Sequence, residues 1–343
     1  MFDRKGHIAA ITLAAMLILT ACGGKTPTET PIPPTEITVQ FSWVHSIEFA
    51  GFYTAAAHHY YTDANLDVHL ESGGFTADGE YIDPIEHVVN GEADFGIAGA
   101  DAILTARAEG LSVVAVAVIY QRNPVVLLSL AEKEITRPQD LIGRRICVEE
   151  GSTIDISYRA LMNSEEIDRS EVEEVSKTDF TLAPLLNDEV DVFPGFITNE
   201  PVQAQLLGID VNLILMSDYG IDIYSNVIFT TEELIENRPH LVGTFVRTTL
   251  EGTRDAIKAP EEAAQRVLDL YGDTMTAEMR EAQTPGMIAS IPLLNQVGSH
   301  PGMMTDEAWE MAHQILLNQG VLQEAIDFEA AYTLEFLGRI YGE

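Results

Sequence analysis

The chain has 343 residues, of which 46% are hydrophobic, and a formal charge of −35. This length is sufficient for two lobes of ordinary size. An acidic surface repels nucleic acid and anionic lipid head groups, so we expect no nucleic-acid partner. Apart from Cys22 the chain contains one cysteine, Cys147, which excludes a disulfide framework and a cysteine zinc site in the folded part.

The pattern of the first 35 residues predicts a targeting segment followed by a tether. Charged residues at 3–5 precede a mostly apolar run, 8–21, that is too short for a permanent membrane span and is typical of a signal sequence. The string LTAC at residues 19–22 resembles a bacterial lipobox, which predicts a signal peptide over 1–21 and a lipid on Cys22. The alternative is an ordinary secretory signal. Residues 22–35, rich in Pro, Thr and Gly, predict a disordered tether, and hence an extracytoplasmic, lipid-anchored chain.

Strand-like and helix-like segments then alternate, which is typical of an α/β fold. The run at 111–120 is rich in Val and almost continuously apolar, as in a strand that is buried on both faces of a parallel sheet. Further strands are predicted at 36–41, 66–70 and 94–98, and helices at 53–61, 83–90 and 102–109.

The middle of the chain repeats this alternation. Strands are predicted at 125–130, 145–148, 171–175, 191–196 and 212–216. Helices are predicted from a Ser152 or Thr153 N-cap to residue 163, at 181–187, and from Asn199 to residue 207.

After a predicted strand at 222–230 the chain becomes mostly helical, with helices at 238–259, 260–271, 305–319 and 327–341. Residues 125–222 are therefore predicted to form lobe 2, and residues 36–124 with 223–343 to form lobe 1. Two strand-like crossings, near 121–130 and 219–229, would join the lobes around a cleft.

The turn after the first strand carries the strongest concentration of candidate ligand contacts. Trp43, His45, Glu48, Phe49 and Tyr53 lie between this strand and the following helix. Turns at the carboxyl ends of strands line the ligand crevice of an open α/β sheet. These residues predict a site in which aromatic rings stack on a flat ligand and a carboxylate or imidazole forms hydrogen bonds to its edge. The alternatives are that Trp43 and Phe49 fill the core and that His45 is a surface histidine.

Six segments, the first of which contains this turn, occur in a recognisable order: SWVHSIEFAGFYTAA, GEADFGIAGADAIL, DLIGRRICVEEGS, DVFPGFITNEP, DYGIDIYSNVIFTT and the closing predicted helix that contains a tryptophan. With these, the chain resembles the extracytoplasmic substrate-binding proteins of ABC importers, in the branch related to thiamine-pyrimidine-precursor synthesis and binding proteins. The resemblance implies a type-2 periplasmic-binding-protein fold, in which two lobes joined by two crossing strands close over a ligand. It also implies a permease with its ATPase as partners, and a monomer.

Carried onto this sequence, the resemblance places more of the pocket outside the first turn. It implies ligand contacts from Ala100 and Asp101, from Gly151 and Ser152 at a helix start, and from the pair Asn199 and Glu200.

The ligand expected from the resemblance is a thiamine pyrimidine precursor, with riboflavin as the alternative; more distant relatives bind sulfonates or nitrate. Pyrimidine-binding relatives often have a Pro-Asn pair after the tryptophan, where this chain has Val44-His45-Ser46. The fungal enzymes of the family carry a cysteine-rich iron motif, and with Cys147 alone beyond the lipid site we predict a binding protein without catalytic residues, metal or cofactor.

The chemistry of the residues agrees with a donor-rich heterocycle. Glu48 and Glu200 can accept charge-assisted hydrogen bonds from ring N–H or amino groups, while Trp43, Phe49 and Tyr224 would sandwich the ring. The first turn offers no Arg or Lys for an anion. Alternatives stay open for three residues: Glu200 can complement a helix dipole, Asn199 can be an N-cap, and Tyr224 can be core.

Overall fold

Alternating apolar positions build the first strand, in which Ile37 and Val39 are buried and Thr38 between them is not fully buried. The computed structural model describes residues 33–176, 181–296 and 298–342. The predicted signal peptide, Cys22 and nearly all of the tether lie outside these residues. From Pro34 onward the chain packs as one unit.

The strands of the described residues match most of the predicted ones to within a few residues. They are β1 (Thr35–Gln40), β2 (Leu66–Glu71), β3 (Phe95–Ala98), β4 (Val113–Val118), β5 (Val125–Leu130), β6 (Arg145–Val148), β7 (Glu173–Ser176), β8 (Phe193–Phe196), β9 (Val211–Leu215) and β10 (Val227–Thr231).

The helices of the same residues alternate with the strands and then dominate after β10. They are α1 (Ala50–Ala57), α2 (Tyr60–Asp63), α3 (Pro84–Val89), α4 (Ala100–Ala108), α5 (Thr153–Ser164), α6 (Ala183–Leu186), α7 (Glu200–Leu206), α8 (Glu232–Asn237), α9 (Pro239–Lys258), α10 (Pro260–Tyr271), α11 (Ala277–Leu294), α12 (Asp306–Asn318) and α13 (Glu335–Tyr341).

The first sheet has the strand order β2-β1-β3-β10-β4. Its first three strands are parallel, and β10 is antiparallel to both of its neighbours. All six residues of β4 are buried, which confirms the prediction that this run is covered on both faces.

The second half of the chain contains a sheet of order β8-β5-β9 and a parallel pair, β6-β7. A parallel bridge between Ile146 and Val192 joins the two groups. The resulting order, β7-β6-β8-β5-β9, repeats the first sheet, because β5 is antiparallel to both of its neighbours just as β10 is. Two similar sheets in one chain are what the predicted two-lobe architecture requires.

Two connections run between the sheets, at residues 119–124 and 216–226, and they are hydrogen-bonded to each other. The Ile119 N–H donates to the Asn226 carbonyl at 2.7 Å, and the Asn123 side-chain N–H donates to the Ile221 carbonyl at 3.0 Å. The prediction of a strand at 222–230 is wrong in its first half, because the observed strand begins at Val227. The five residues before it instead form part of this paired connection.

The C-terminal part departs from the prediction in two places. The single helix predicted at 327–341 is a 3₁₀ turn, Phe328–Ala331, followed by α13. It is interrupted because Tyr332 bridges to Ala115 and the Thr333 N–H donates to the Ala115 carbonyl at 2.9 Å, so the backbone pairs with the edge of β4. Helix α11 was not predicted, and it contains Pro285 and Pro292, which weaken the helical signal.

The described residues form a large hydrophobic cluster, in which Trp309 of α12 and Phe245 of α9 are fully buried, and a smaller one at the second sheet around Leu128, Cys147 and Phe193. Over the described residues, no helix combines the length and the apolar character that a membrane crossing requires.

Candidate functional site

The turn after β1 places Trp43 at the surface of the core without burying it completely. Its carbonyl accepts a hydrogen bond from the Gly73 N–H at 2.9 Å, which ties the turn to the segment after β2. The indole meets the Phe75 ring edge to face, with 5.8 Å between centroids and an angle of 89°. Trp43 therefore lies at the edge of the core, where the Phe75 ring contacts its indole.

His45 is held in one orientation by two aromatic residues. Its Nδ1 lies 3.0 Å from the Tyr53 hydroxyl, and its ring stacks on Tyr271 with 3.5 Å between centroids. Burial lowers the pKa of His45 to about 4, so the imidazole is neutral at physiological pH. A neutral imidazole can both donate and accept one hydrogen bond.

Phe49 lies inside the core. Its ring has no exposed surface and stacks on Phe41 with 4.0 Å between centroids. Tyr53, also without exposed surface, points to His45. This placement agrees with the alternative that Phe49 fills the core, while Tyr53 contacts the His45 imidazole.

Glu48 is the chemically unusual residue of the turn. It is partly buried, and one carboxylate oxygen accepts a hydrogen bond of 3.3 Å from the Asn226 side chain. The pKa of Glu48 rises to about 7, chiefly because the carboxyl is buried; the Asn226 hydrogen bond opposes this rise and the charge of Glu200 adds to it. Glu48 is thus close to half-protonated at neutral pH, so it can accept a hydrogen bond when ionised and donate one when protonated.

Glu200, at the first position of α7, is 6% exposed. Its Oε2 accepts the Phe196 N–H at 2.8 Å, and Asn199 donates to Oε1 at 3.3 Å. A methyl group on Gly195 would lie 2.1 Å from Oε2, so only glycine lets the carboxylate take this position. The Asn199 side chain forms no N-cap hydrogen bond and instead accepts from Gln203 at 2.8 Å.

A second group of predicted residues meets where α4 and α5 begin. Asp101, 5% exposed, accepts hydrogen bonds from the Thr153 hydroxyl at 3.1 and 2.9 Å to its two oxygens. Burial raises the pKa of Asp101. Because Thr153 belongs to the segment between β6 and β7 and Asp101 to that between β3 and β4, this contact links the two sheets.

The backbone around this contact is fixed by short local bonds. Ser152 is the N-cap of α5 and accepts the Asp155 N–H at 3.2 Å, which confirms it over Thr153 as the cap. Gly151, with a φ of +81°, donates its N–H to the Asp155 carboxylate at 2.9 Å. The Ala100 N–H donates to the Tyr224 carbonyl at 2.8 Å.

The Tyr224 ring lies on the core side. It is 3% exposed, its hydroxyl accepts the Thr305 N–H at 3.1 Å, and its ring meets Trp309 edge to face. Tyr224 therefore contributes its backbone to the turn at Ala100, in agreement with the core alternative for its ring.

Sequence reasoning missed several residues that the fold brings to these turns. Asn226 and Tyr271 approach from segments more than 170 positions away, and nothing in their local sequence marks them. Phe75 follows Ser72-Gly73-Gly74, a sequence that predicts a break in the chain but no contact with Trp43. These contacts depend on the tertiary fold, which a single sequence does not specify residue by residue.

Two similar sheets, paired connections between them, and an aromatic and acidic turn at the end of β1 define a periplasmic-binding-protein fold of the type-2 class. The periplasmic aliphatic sulphonate-binding protein SsuA of Escherichia coli aligns with a TM-score of 0.67 at 14% identity, over 87% of this chain and 92% of that one. The Candida albicans CA3427 product, described as having the generic periplasmic binding protein fold, aligns with a TM-score of 0.59 at 14% identity, over 88% and 96%.

The chain belongs to the NMT1/THI5-like family, whose model matches residues 46–263. The resemblance drawn from the sequence motifs is thereby confirmed. The riboflavin-binding protein RibY of Chloroflexus aurantiacus is 27% identical over 97% of this chain and 98% of its own length. The formylaminopyrimidine-binding protein of Halalkalibacterium halodurans is 22% identical over 94% and 96%. A 4-amino-5-hydroxymethyl-2-methylpyrimidine phosphate synthase of Legionella pneumophila is 24% identical over 74% and 79%.

Proposed function

We propose that this chain is the extracytoplasmic solute-binding protein of an ABC importer and that it binds a small, flat N-heterocycle. The observation that carries the proposal is the carboxyl of Glu48, whose pKa rises to about 7 chiefly because it is buried, with a smaller contribution from the charge of Glu200. A ligand that brings N–H or amino donors to these carboxylates would compensate the cost of burying their charge.

Trp43 supplies the stacking face of the proposed site, and His45 supplies a fixed, neutral imidazole at its edge. The Asp101–Thr153 hydrogen bond links the two halves and favours the closed arrangement over the ligand. Asn199, Gly151 and Ser152 remain proposed contacts through the turns to which they belong. Ala100 would contribute through its backbone.

Two ligand classes follow from this chemistry, a thiamine pyrimidine precursor and riboflavin. Both present ring nitrogens and donors to an acid pair. Full-length similarity to relatives named for riboflavin and for formylaminopyrimidine supports both candidates.

The second candidate function is that of an enzyme that makes or alters a pyrimidine. One relative of this chain is named as such a synthase. The sequence lacks the cysteine-rich iron motif of the family's fungal enzymes, because beyond Cys22 it contains only Cys147. We therefore propose binding without turnover. Incubation with pyridoxal phosphate, histidine and iron, followed by chromatography for a pyrimidine product, separates the two functions.

The proposed partners follow from the family. A permease with its ATPase would receive the ligand, and a lipid on Cys22 would hold the protein, as a monomer, at the outer face of the membrane. Radiolabelled palmitate incorporation that is lost in Cys22→Ser tests the anchor.

The binding proposal is tested by calorimetric titration of the full chain with riboflavin, hydroxymethylpyrimidine and formylaminopyrimidine. We expect saturable 1:1 binding of at least one of them, a large loss of affinity in Trp43→Ala, and partial retention in Trp43→Phe, which keeps a stacking ring. Leu207→Ala, at a 60% exposed position of the surface, serves as the control and should bind as wild type does. No heat with any of the three ligands contradicts the proposal.

A further inference from the structure

Helix α11 meets two turns of the proposed site, one from each half of the molecule. A methyl group on Gly286 would lie 2.9 Å from the Thr198 carbonyl oxygen, just before α7, and 3.1 Å from a side-chain carbon of Ile47, in the first turn. One helical turn further on, the Ser290 and Tyr120 hydroxyl oxygens lie 3.2 Å apart, which ties α11 to the connection between the sheets. We call the place where α11, the first turn and the segment before α7 meet the α11 junction.

Three side chains of the α11 junction carry buried polar atoms that form no hydrogen bond with any described residue. These atoms are the hydroxyl oxygens of Ser46 and Thr198 and the Oε1 of Gln283. Thr198 and Gln283 are each 4% exposed, and Gln283 shares a face of α11 with Gly286. The Gln283 amide nitrogen donates to the Met279 carbonyl at 2.6 Å, so its nitrogen is engaged and its oxygen is not. Buried polar atoms are nearly always hydrogen-bonded, so three exceptions at one place indicate a group that binds there.

The α11 junction adjoins the acidic part of the proposed ligand site. Ser46 precedes Glu48 by two residues, and Thr198 precedes Glu200 by two residues. The buried Tyr120 phenol faces the Thr198 hydroxyl without reaching hydrogen-bond geometry, and it also lies near the Glu48 carboxyl. Burial, and then the charge of Glu48, raise the pKa of Tyr120, so the phenol stays protonated at physiological pH. A ligand held by Glu48 and Glu200 would therefore have the three unpartnered atoms beside it.

We propose that the α11 junction is a polar subsite that binds a neutral hydroxyl substituent of the ligand. This inference rests on the proposed binding function and specifies what the ligand carries outside its ring, whether that ring is a pyrimidine or a flavin. A Gln oxygen only accepts hydrogen bonds, while Ser and Thr hydroxyls both donate and accept. One ligand hydroxyl can therefore donate to Gln283 and accept from Ser46 and Thr198, which satisfies all three atoms. An anionic substituent is disfavoured, because Glu48 and Glu200 lie next to the junction.

The test titrates the full chain by calorimetry with two pairs of ligands, each of which differs in the hydroxyl-bearing substituent. One pair is hydroxymethylpyrimidine and the analogue in which a methyl group replaces the hydroxymethyl group. The other pair is riboflavin and lumiflavin, in which a methyl group replaces the sugar chain. The variants Ser46→Ala, Thr198→Val and Gln283→Met each remove the polar atom and keep most of the side-chain volume. Thr54→Val on α1 is the matched control, because it removes another buried hydroxyl that has no hydrogen bond to a described residue.

We expect each of the three variants to weaken binding of the hydroxyl-bearing ligand by about three- to tenfold, the range for one lost hydrogen bond. Binding of the methyl ligand should change by less than about twofold, so each variant reduces the preference of wild type for the hydroxyl-bearing member of a pair. Without ligand, urea denaturation should find the variants at least as stable as wild type, because an unpartnered buried polar atom costs stability. Thr54→Val should also keep its stability, and it should bind both members of a pair as wild type does.

Equal or tighter binding of the methyl ligand by wild type overturns the inference, as does an equal loss of both members of a pair in the variants. A variant that is less stable without ligand and yet binds as wild type does assigns its polar atom to an ordered water or to packing, and this outcome also contradicts the inference. A wild type that binds formylaminopyrimidine but neither hydroxyl-bearing ligand overturns the inference alone. Failure to bind any of these ligands refutes the proposed function itself.

Discussion

Replacing Glu48 by Gln tests the electrostatics of the site without any ligand. The pKa of this carboxyl rises from its ordinary 4.5 to about 7 in the folded chain. Between these values the folded chain holds a proton that the unfolded chain releases, so the free energy of unfolding decreases as pH rises from 4.5 to 7. At about 1.4 kcal/mol for each pH unit, the cost of ionised Glu48 reaches ~3 kcal/mol above pH 7.

Glutamine keeps an oxygen for the Asn226 hydrogen bond and carries no charge at any pH. We therefore expect Glu48→Gln to equal wild type in stability at pH 4.5 and to exceed it by about 2–3 kcal/mol at pH 8. Urea denaturation of the ligand-free full chain at both pH values measures this difference. The exposed Glu310→Gln is the matched control and should show no such pH-dependent gain. Equal pH dependence in wild type and Glu48→Gln would refute the reasoning about the buried Glu48 carboxyl.

Three further substitutions test the packing around the site. Trp309→Ala removes a fully buried indole and should lower the free energy of unfolding by about 3–5 kcal/mol, measured by urea denaturation; a loss below 1 kcal/mol would contradict the core assignment. Gly195→Ala places a methyl carbon 2.1 Å from a Glu200 oxygen, so ligand affinity should fall about tenfold or more in calorimetry; unchanged affinity would remove Glu200 from the site. Thr153→Val deprives buried Asp101 of a donor and should weaken binding by about tenfold while small-angle scattering shows a more open chain; an unchanged scattering profile argues against a role in closure.

The fold was predictable because its signals are local and periodic. The buried run of β4, the Pro84 start of α3 and the Ser152 cap of α5 each follow from side-chain chemistry at known spacings. The predictions were wrong where tertiary contacts decided the backbone. The stretch at 222–226 pairs with the other connection, and Tyr332 interrupts a helical pattern to pair with β4.

The positions of the candidate site residues were predictable in outline and less so in detail. The first turn is where an α/β sheet places ligand contacts, and Trp43, His45 and Glu48 do lie at its surface. The sequence could not show that Phe49, unlike these three residues, is fully buried, because the pattern of a turn does not reveal whether an aromatic ring points to the cleft or to the core. Nor could it show that Asn226 would meet Glu48, since that contact spans 178 positions.

The central claim is that the two halves close over a flat N-heterocycle without transforming it. Native mass spectrometry of the full chain, after incubation with riboflavin, hydroxymethylpyrimidine and formylaminopyrimidine together, tests this most directly. The account predicts one added mass per chain, equal to that of one intact ligand and absent in Trp43→Ala. A chain that gains no mass, or that releases a chemically altered ligand, would contradict it.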